Sequence, residues 1–392
     1  MFWGYSRNMF KDTRQQKASL EIIYFFCIHY FIKLKIMLKF IKIFSINIFI
    51  FLILIIILEI ILGYSLNKDS KLDCHYLLCE RTFKYKTDLH GNIKDYEIIY
   101  TRDLYGFRDR EKELSKIDIL AVGGSTTDER YLKNEDTWTN LLQRKLSNYF
   151  QKDIDVVNSG IDGQSTFGHI WNFENWYNKL ENFNPKYIIF YVGINDVLFQ
   201  PEKYGSSNSK FNFDNNQDIS KLSLINQIKF LLKKNNGIIY KIYVFINDFY
   251  ISDIYEVAHS NTRNKFDYKI PNKNLRIDQN SKKKFLNNLN SLFEHSKKIG
   301  SIPIFVTQKT LRGKRIGKKI LSINEFDFYN YEKNISDIII KFCNEKEILC
   351  INSNKNFDIK PSELYDLVHL SPEGSINFSN FLFNNLKYKL KF

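Results

Sequence analysis

The chain has 392 residues, 44% of them hydrophobic, so it is long enough to bury one substantial core. Its 57 Lys and Arg against 43 Asp and Glu give a formal net charge of +14, which suits nucleic acid, anionic lipid or acidic polysaccharide as a partner. The lysines are scattered among Asn and Ile and form no basic stripe interleaved with aromatic residues, which argues against a nucleic-acid-binding protein.

The first predicted element is a transmembrane helix at residues 43–62, IFSINIFIFLILIIILEIIL. Twenty residues at about 1.5 Å each match a hydrocarbon core of about 30 Å. Four lysines precede it, which by the positive-inside rule keeps residues 1–42 in the cytoplasm and sends the rest of the chain to the periplasmic or extracellular side. The lysines are Lys33, Lys35, Lys39 and Lys42. No small-residue cleavage site follows, so an uncleaved single-pass anchor is expected.

Two alternatives concern this N-terminal region. A shorter apolar stretch at residues 20–32 would, as a second span, form a hairpin and leave the remainder in the cytoplasm. That arrangement places the four lysines on the outer side, against the usual charge bias, and ranks second. Translation could also start at Met37 instead of Met1.

The five cysteines indicate no metal site, because they show neither CxxC spacing nor a paired His tract. No metal and no cofactor is therefore predicted. Cys74 and Cys79 follow the predicted membrane helix, where an oxidising compartment could join them, and two unpaired thiols are the equal alternative.

After a polar lead-in at residues 63–116, which contains the distinctive run TRDLYGFRDRE, the chain predicts a parallel sheet. Short runs rich in Ile and Val alternate with longer, helix-like polar stretches, as in βα units. The runs are IDILAVGG, IDVVNSG, KYIIFYVG, SIPIFVTQ and EILCIN. One domain at residues 117–392, with an insertion at about 201–280 that would shape a substrate site, is the simplest partition.

Four motifs of this region carry side chains suited to acyl transfer. Ser125 follows the first strand in GGSTT, where open α/β sheets hold their ligands. Gly163 in NSGIDGQST and Asn195 in GIND follow the next two strands and offer N–H donors for an oxyanion hole. Asp366 and His369, in DLVHLSPEG, lie before a predicted final helix, and an acid three residues before a histidine can orient it as a base.

In order and spacing, the four motifs together resemble those of SGNH (GDSL-type) hydrolases. The resemblance implies Ser125 as nucleophile, His369 as base and Asp366 as its orienting acid. It also implies an oxyanion hole of the Ser125 N–H, Gly163 and Asn195. The fold it implies is a flavodoxin-like three-layer α/β/α sandwich whose parallel five-stranded sheet has the order 2-1-3-4-5. One departure is Gly124, which stands where the family's GDS motif has aspartate.

The resulting hypothesis is a membrane-anchored serine esterase that removes O-acyl groups, acetyl in the first place, from cell-surface or exported carbohydrate. Alternatives are an exopolysaccharide O-acetyltransferase with the same triad, a lipase or phospholipase, and a non-catalytic glycan-binding assembly protein. The expected partners are an acylated glycan, the membrane and proteins of polysaccharide modification.

Overall fold

The structure is a computed structural model that describes residues 5–58, 81–89, 96–109, 113–196, 254–257, 267–275 and 277–392. The chain divides into a small unit, which contains the N-terminal helix, and a larger unit, which contains the sheets. The Cys74–Cys79 pair and most of the predicted insertion, residues 201–253, lie outside the described residues.

The N-terminal helix, α1, runs without interruption from Tyr5–Leu58. No Gly or Pro occurs within it to break the helical hydrogen bonds. Its candidate membrane span, Lys33–Ile57, contains an 18-residue window with a mean hydropathy of 2.8 and no buried residue, so it is long and apolar enough to cross a membrane. A signal sequence near the N-terminus would meet the same criterion.

α1 contains most of the span expected at residues 43–62. Residues 43–58 lie within it, and the helix continues toward the N-terminus through the four lysines because lysines are good helix formers; residues 59–62 lie outside the described part. The alternative of two spans requires a turn between residues 32 and 43, where the helix continues unbroken.

The described part of the larger unit contains ten strands and seven α-helices. The strands are β1 (Arg81–Thr87), β2 (Tyr96–Arg102), β3 (Ile117–Gly123), β4 (Asp155–Asn158), β5 (Tyr187–Tyr191), β6 (Ile254–Val257), β7 (Ile302–Val306), β8 (Gly313–Ile316), β9 (Lys319–Ser322) and β10 (Cys350–Ile351). The helices are α2 (Ser125–Asp128), α3 (Trp138–Phe150), α4 (Thr166–Asn175), α5 (Gln279–Lys298), α6 (Phe328–Lys346), α7 (Ser353–Asn356) and α8 (Pro372–Leu386).

The ten strands form three sheets, of five, three and two strands. The five-stranded central sheet is entirely parallel and has the order β4-β3-β5-β7-β10. Counted along the chain, this is the order 2-1-3-4-5 that the resemblance implied. The predicted strands and the fold class are therefore confirmed.

The central sheet is covered on both faces, which explains why its strands are nearly continuous apolar runs. On one face, side chains of α4, α5 and α6 pack against the sheet, among them Phe173, Leu289 and Ile339. On the other face, α3 and α8 contribute Trp138 and Phe378. The larger unit is therefore a three-layer α/β/α sandwich.

The three-stranded sheet joins β1 to β2 in antiparallel and to β6 in parallel fashion. After β2 the chain turns back, so that Arg108 pairs with Arg102 on one side and with Asn158 of β4 on the other. Phe107, just before it, is fully buried in the core of the central sheet. Part of the lead-in at 63–116 thus packs into the same unit as the domain expected at 117–392.

A disulfide joins Cys343, near the end of α6, to Cys350 in β10, with 6.0 Å between their Cα atoms. The sequence did not indicate this pair, because the seven-residue spacing matches no disulfide or metal motif. Glu347 adopts a left-handed conformation between them and reverses the chain, which brings the two cysteines together.

Candidate active site

Ser125 begins the short helix α2 at the carboxyl end of β3, a central strand of the sheet. The turn before it requires glycine, because a Cβ atom on Gly123 would lie 2.8 Å from the carbonyl oxygen of Tyr191. The carbonyl oxygen of Gly124 then accepts hydrogen bonds from the N–H groups of Thr127 and Asp128. These contacts hold Ser125 at the edge where parallel α/β sheets bind their ligands.

Ser125, His369 and Asp366 form one hydrogen-bonded line. The His369 Nε2 lies 2.7 Å from the Ser125 Oγ, and the His369 Nδ1 lies 2.6 Å from an Asp366 carboxylate oxygen. All three side chains are partly buried and so remain within reach of a ligand. This is the arrangement that allows an imidazole to remove the proton of a serine hydroxyl.

Asp366 is oriented by the loop that carries it. Its second carboxylate oxygen accepts hydrogen bonds from the N–H groups of Val368 and His369, each at 2.7 Å. Burial raises the pKa of Asp366, but its bonds to the His369 side chain and to the two N–H groups outweigh burial, so the pKa is lowered from its ordinary value. Asp366 is therefore a carboxylate at neutral pH.

The histidine loop is also fixed by its neighbours. The ring of Tyr365 stacks on that of His369 with 5.4 Å between centroids, and the Tyr365 N–H donates to the His369 carbonyl oxygen. Ser371 caps α8 by accepting from the N–H of Gly374, and Pro372 follows as its first residue. The final helix predicted after the histidine loop is therefore present.

Asn195 lies next to the nucleophile turn. Its Nδ2 donates to the carbonyl oxygen of Gln164 at 2.8 Å, and a Cβ atom on Gly124 would approach that Nδ2 to 2.5 Å. A side-chain amide nitrogen carries two hydrogens, so one N–H of Asn195 remains for a ligand. A side chain at Gly124 would crowd this amide in the present conformation.

Gly163 lies on the neighbouring loop, one residue before Gln164. It is exposed and has a φ of +75°, a conformation that favours glycine. The loop is tied to the end of β3 by a hydrogen bond from the Ile161 N–H to the Gly123 carbonyl oxygen. The structure thus brings the loops of Gly163 and Asn195 to the turn of Ser125.

Two buried side chains that the motifs did not single out connect these loops. Gln308 donates from Nε2 to the Thr126 hydroxyl at 2.8 Å and accepts from the Ile194 N–H at 2.5 Å. Asp196 accepts from the Thr166 hydroxyl at 2.5 Å, which links the GIND loop to α4. Asp196 lies within the GIND motif. Gln308 lies in no such motif, and the only signal for it in the sequence is its position after the fourth strand of the sheet.

The run TRDLYGFRDRE supplies two buried arginines to the nucleophile turn. Arg108 donates to the carbonyl oxygens of Asp128, Glu129 (2.7 Å) and Leu132 (2.6 Å). Arg102 forms an ion pair with the Asp128 carboxylate at 2.8 Å. The backbone directly after α2 is therefore held by fixed guanidinium groups, a function that the sequence motif alone did not reveal.

Arg102 extends this network to the next loop. It donates to the carbonyl oxygen of Gly160 at 2.6 Å, and a Cβ atom on Gly160 would lie 2.2 Å from the Asp128 nitrogen. Tyr100 donates to the same Asp128 oxygen at 2.8 Å, and burial raises the pKa of Tyr100, which keeps its hydroxyl protonated. The two loops next to Ser125 are thus packed tightly against each other.

Glu129 connects the nucleophile turn to the helix that follows the histidine loop. Its carboxyl group accepts from the Trp138 N–H at 2.7 Å and from the Ser375 hydroxyl in α8. Burial raises the pKa of Glu129 to about 8, and its hydrogen bonds only partly oppose this. Glu129 is therefore mostly protonated at neutral pH.

Two further histidines in the described part of the larger unit lie away from Ser125. His169 is buried beside Gln164, and burial lowers its pKa to about 3, so it remains neutral. His295 stacks on Phe173 at 5.3 Å. Of these three histidines, His369 alone contacts the serine.

Comparison with known proteins identifies similar solved structures. An acetyl xylan esterase, AlAXEase, has 15% sequence identity and a TM-score of 0.41, with 69% of this chain and 100% of the other covered. An acetylxylan esterase from Geobacillus stearothermophilus has 14% identity and a TM-score of 0.39 over 70% of this chain and 94% of its own. A lipolytic protein of the G-D-S-L family from Desulfitobacterium hafniense has 14% identity and a TM-score of 0.37 over 68% and 98%. No family model and no curated protein matches this chain.

Proposed function

We propose that this protein is a serine esterase in which Ser125 is the nucleophile, His369 the general base and Asp366 the acid that orients the base. The observation that carries this proposal is the line of two short contacts, 2.7 Å from the Ser125 Oγ to the His369 Nε2 and 2.6 Å from the His369 Nδ1 to Asp366. Asp366 accepts a hydrogen bond from the Nδ1–H group of His369. This favours the tautomer whose Nε2 is free to accept a proton.

The reaction has two stages. As the Ser125 Oγ attacks the ester carbonyl carbon, its proton passes to the His369 Nε2, and the imidazolium then protonates the leaving alcohol as the ester C–O bond breaks. Water next attacks the acyl-enzyme with His369 again as base, which releases the carboxylic acid and restores the serine hydroxyl. No other reactant is needed.

In this proposal, the negative oxygen of each tetrahedral intermediate is bound by the N–H groups of Ser125 and Gly163 and by the Asn195 amide. The remaining Asn195 N–H and the convergence of the two loops on the Ser125 turn support these roles. The buried network around the turn keeps the donors in place before the substrate arrives, which is the condition for effective electrostatic stabilisation.

The substrate that we propose is an O-acyl group, acetyl in the first place, on cell-surface or exported carbohydrate. α1 would act as a single-pass anchor, and the lysines at its centre would keep its amino end in the cytoplasm. The Cys343–Cys350 disulfide supports an oxidising compartment for the larger unit, because disulfides are rare in the cytosol.

The test is hydrolysis of an aryl acetate by the full chain in a neutral detergent, with Ser125→Ala and His369→Ala in parallel. The proposal expects activity in the parent and none above background in either variant, while both variants keep the parent's melting temperature. Activity that survives in Ser125→Ala would contradict the proposed nucleophile. Transfer of the acetyl group to an added glycan faster than hydrolysis would identify an acetyltransferase instead.

A further inference from the structure

The hairpin formed by β8 and β9 is the most strongly charged segment in the described part of the larger unit. Residues 312–322, RGKRIGKKILS, contain five cationic side chains and no acidic one. The two strands pair from Gly313 with Ser322 to Ile316 with Lys319, and Gly317, with a φ of +57°, makes the turn. The hairpin is therefore a short, regular element with a basic tip.

Its base is fixed in the fold. The Arg312 guanidinium pairs with the Glu332 carboxylate of α6 at 2.9 Å. A Cβ atom on Gly313 would lie 2.4 Å from the Tyr329 nitrogen, so the first residue of the hairpin packs directly on the backbone of α6. Ser322 exchanges two backbone hydrogen bonds with Lys269. The tip is thus held in one place.

The cations at the tip are exposed and available. Arg315, Lys318 and Lys319 are all exposed, and within the described part of the chain no ion pair joins any of the three to an acid. In the adjoining segment, by contrast, Lys269 pairs with Asp267 at 3.0 Å and Lys273 with Glu325 at 2.6 Å. The positive charge of these three side chains is therefore not compensated by a neighbouring acid.

The base of the hairpin is connected to the candidate active site. The hairpin follows β7 at the carboxyl edge of the sheet, the edge that carries Ser125. Immediately before the hairpin, the Leu311 N–H donates to the carbonyl oxygen of Leu367, two residues from His369, at 2.9 Å. The Tyr268 hydroxyl donates to the Leu311 carbonyl oxygen at 2.7 Å, and the Lys314 Nζ lies 3.7 Å from the centre of the Tyr268 ring. Direct contacts thus connect the hairpin to the histidine loop.

We infer that the hairpin binds the anionic groups of a carboxylate-bearing, O-acylated polysaccharide while an acyl group of the same chain reaches Ser125. This inference rests on the proposed function and names its substrate class. Four residues of β8 extend about 13 Å, so a ligand that reaches both the tip and the histidine loop must be longer than a single acylated sugar. A polymer with repeated negative charges meets that requirement, and Arg315 offers the forked geometry that carboxylates accept.

Other polyanions fit the hairpin less well. Binding of single-stranded nucleic acid uses aromatic side chains on which bases stack, and residues 312–322 contain none. Docking on a bilayer requires several apolar side chains beside the cations, whereas Ile316, 58% exposed, is the one large apolar side chain at the tip.

The experiment compares acetyl release from acetylated polygalacturonate, which is anionic, with release from acetylated xylan and from an aryl acetate, using the full chain. The variant is Arg315→Gln/Lys318→Gln/Lys319→Gln. The matched control, Lys283→Gln/Lys284→Gln/Lys297→Gln, removes the same charge from exposed positions on α5.

We expect the hairpin variant to lower kcat/KM on polygalacturonate about 10-fold or more at low salt, mainly through KM, and the effect to shrink at high salt. Rates on xylan and on the aryl acetate should stay within about 2-fold of the parent, as should all rates of the control.

An equal loss on the anionic and neutral polymers, or no loss in the hairpin variant, would overturn the inference. A loss that appears only in anionic phospholipid vesicles would assign the hairpin to a lipid surface and would overturn it too. Binding of polygalacturonate to the Ser125→Ala protein measures the hairpin without catalysis. If the parent does not hydrolyse the aryl acetate, the proposed esterase is refuted. If the parent hydrolyses it, but polygalacturonate binds equally well with and without the three hairpin substitutions, this inference alone is refuted.

Discussion

Asp366 uses its two carboxylate oxygens for two different partners. One accepts from the His369 Nδ1, and the other accepts from two backbone N–H groups of the same loop. The backbone bonds fix the carboxylate, and the carboxylate fixes the ring. Asp366 therefore couples the backbone of the loop to the orientation of the base.

Replacing this carboxylate by an amide should preserve the loop and impair the base. In Asp366→Asn, the amide would donate to the His369 Nδ1, which places the ring proton on Nε2 and prevents it from accepting the Ser125 proton. We expect kcat for an aryl acetate to fall by about 10⁴ with little change in melting temperature. A fall of less than about tenfold would show that Asp366 does not orient the base.

Loss of the Asn195 amide should affect turnover much more than folding. Asn195→Ala removes one oxyanion donor and one hydrogen bond to the Gln164 carbonyl oxygen, so we expect kcat to fall by about 10²–10³. Asn140→Ala is the control, because its amide also donates to a backbone carbonyl oxygen, that of Asn134, but lies outside the site. Similar losses of activity in the two variants would contradict the role of Asn195.

Ser125, His369 and Asp366 could be predicted from the sequence because each lies in a short motif at the end of a strand or before a helix. Gln308, Arg102 and Arg108 could not be assigned in that way. Their contacts depend on chain segments far apart in sequence, as with the 182 residues between Gln308 and Thr126. Long-range hydrogen bonds of this kind leave no local pattern in a single sequence.

At the scale of elements, the turn after α2 is held by the lead-in segment before β3. Arg108 donates to three backbone carbonyl oxygens in this turn, those of Asp128, Glu129 and Leu132. A planar guanidinium can do so because it has two terminal nitrogens. Lysine has a single nitrogen and cannot reproduce this geometry. The lead-in is thus part of the structure that positions Ser125.

Arg108→Lys should therefore lower the reactivity of Ser125 in protein that remains folded. We expect phosphonylation by a fluorophosphonate, measured well below the melting temperature, to slow by about 10-fold or more, since a misplacement of about 1 Å can cost about 10² in rate. Arg312→Lys is the control, because that arginine pairs with Glu332 and does not contact the turn of Ser125. If both variants are less stable but their folded molecules are phosphonylated at the parent's rate, Arg108 contributes to stability and does not position Ser125.

At the scale of the whole molecule, Glu129 joins the nucleophile turn to α8 and carries a proton in the folded state. Its pKa is about 8 in the fold against an ordinary 4.5, so between these values the folded protein binds the proton that the unfolded chain releases. The free energy of unfolding therefore falls as pH rises through this window, by up to about 1.4 kcal/mol per pH unit.

Glu129→Gln should remove this contribution, because the amide does not ionise in this pH range and its oxygen can still accept from the Trp138 N–H. We expect the melting temperature of the parent to fall more steeply between pH 5 and about 8 than that of the variant. Ser125→Ala, with Glu129 intact, should keep the parent's slope. Parallel curves for parent and Glu129→Gln would show that this carboxyl group does not hold its proton in the fold.

The central sheet could be predicted because its strands are buried on both faces and so are apolar runs of Ile, Val and Phe. The full length of α1 and the packing of the lead-in could not, for two physical reasons. Lysines continue a helix as readily as apolar residues do, so charge does not mark where α1 begins. The lead-in is buried through long polar and aromatic side chains such as Arg102, Tyr100 and Arg108, which read as a solvated segment in the sequence.

The most direct test of the proposed mechanism is the identity of the residue that reacts with a fluorophosphonate in the full chain, determined by mass spectrometry of the labelled protein. We expect one adduct on Ser125, formed rapidly in the parent and at least about 10²-fold more slowly in His369→Ala. An adduct on another residue, or equal labelling of Ser125 with and without His369, would contradict a serine nucleophile activated by this histidine.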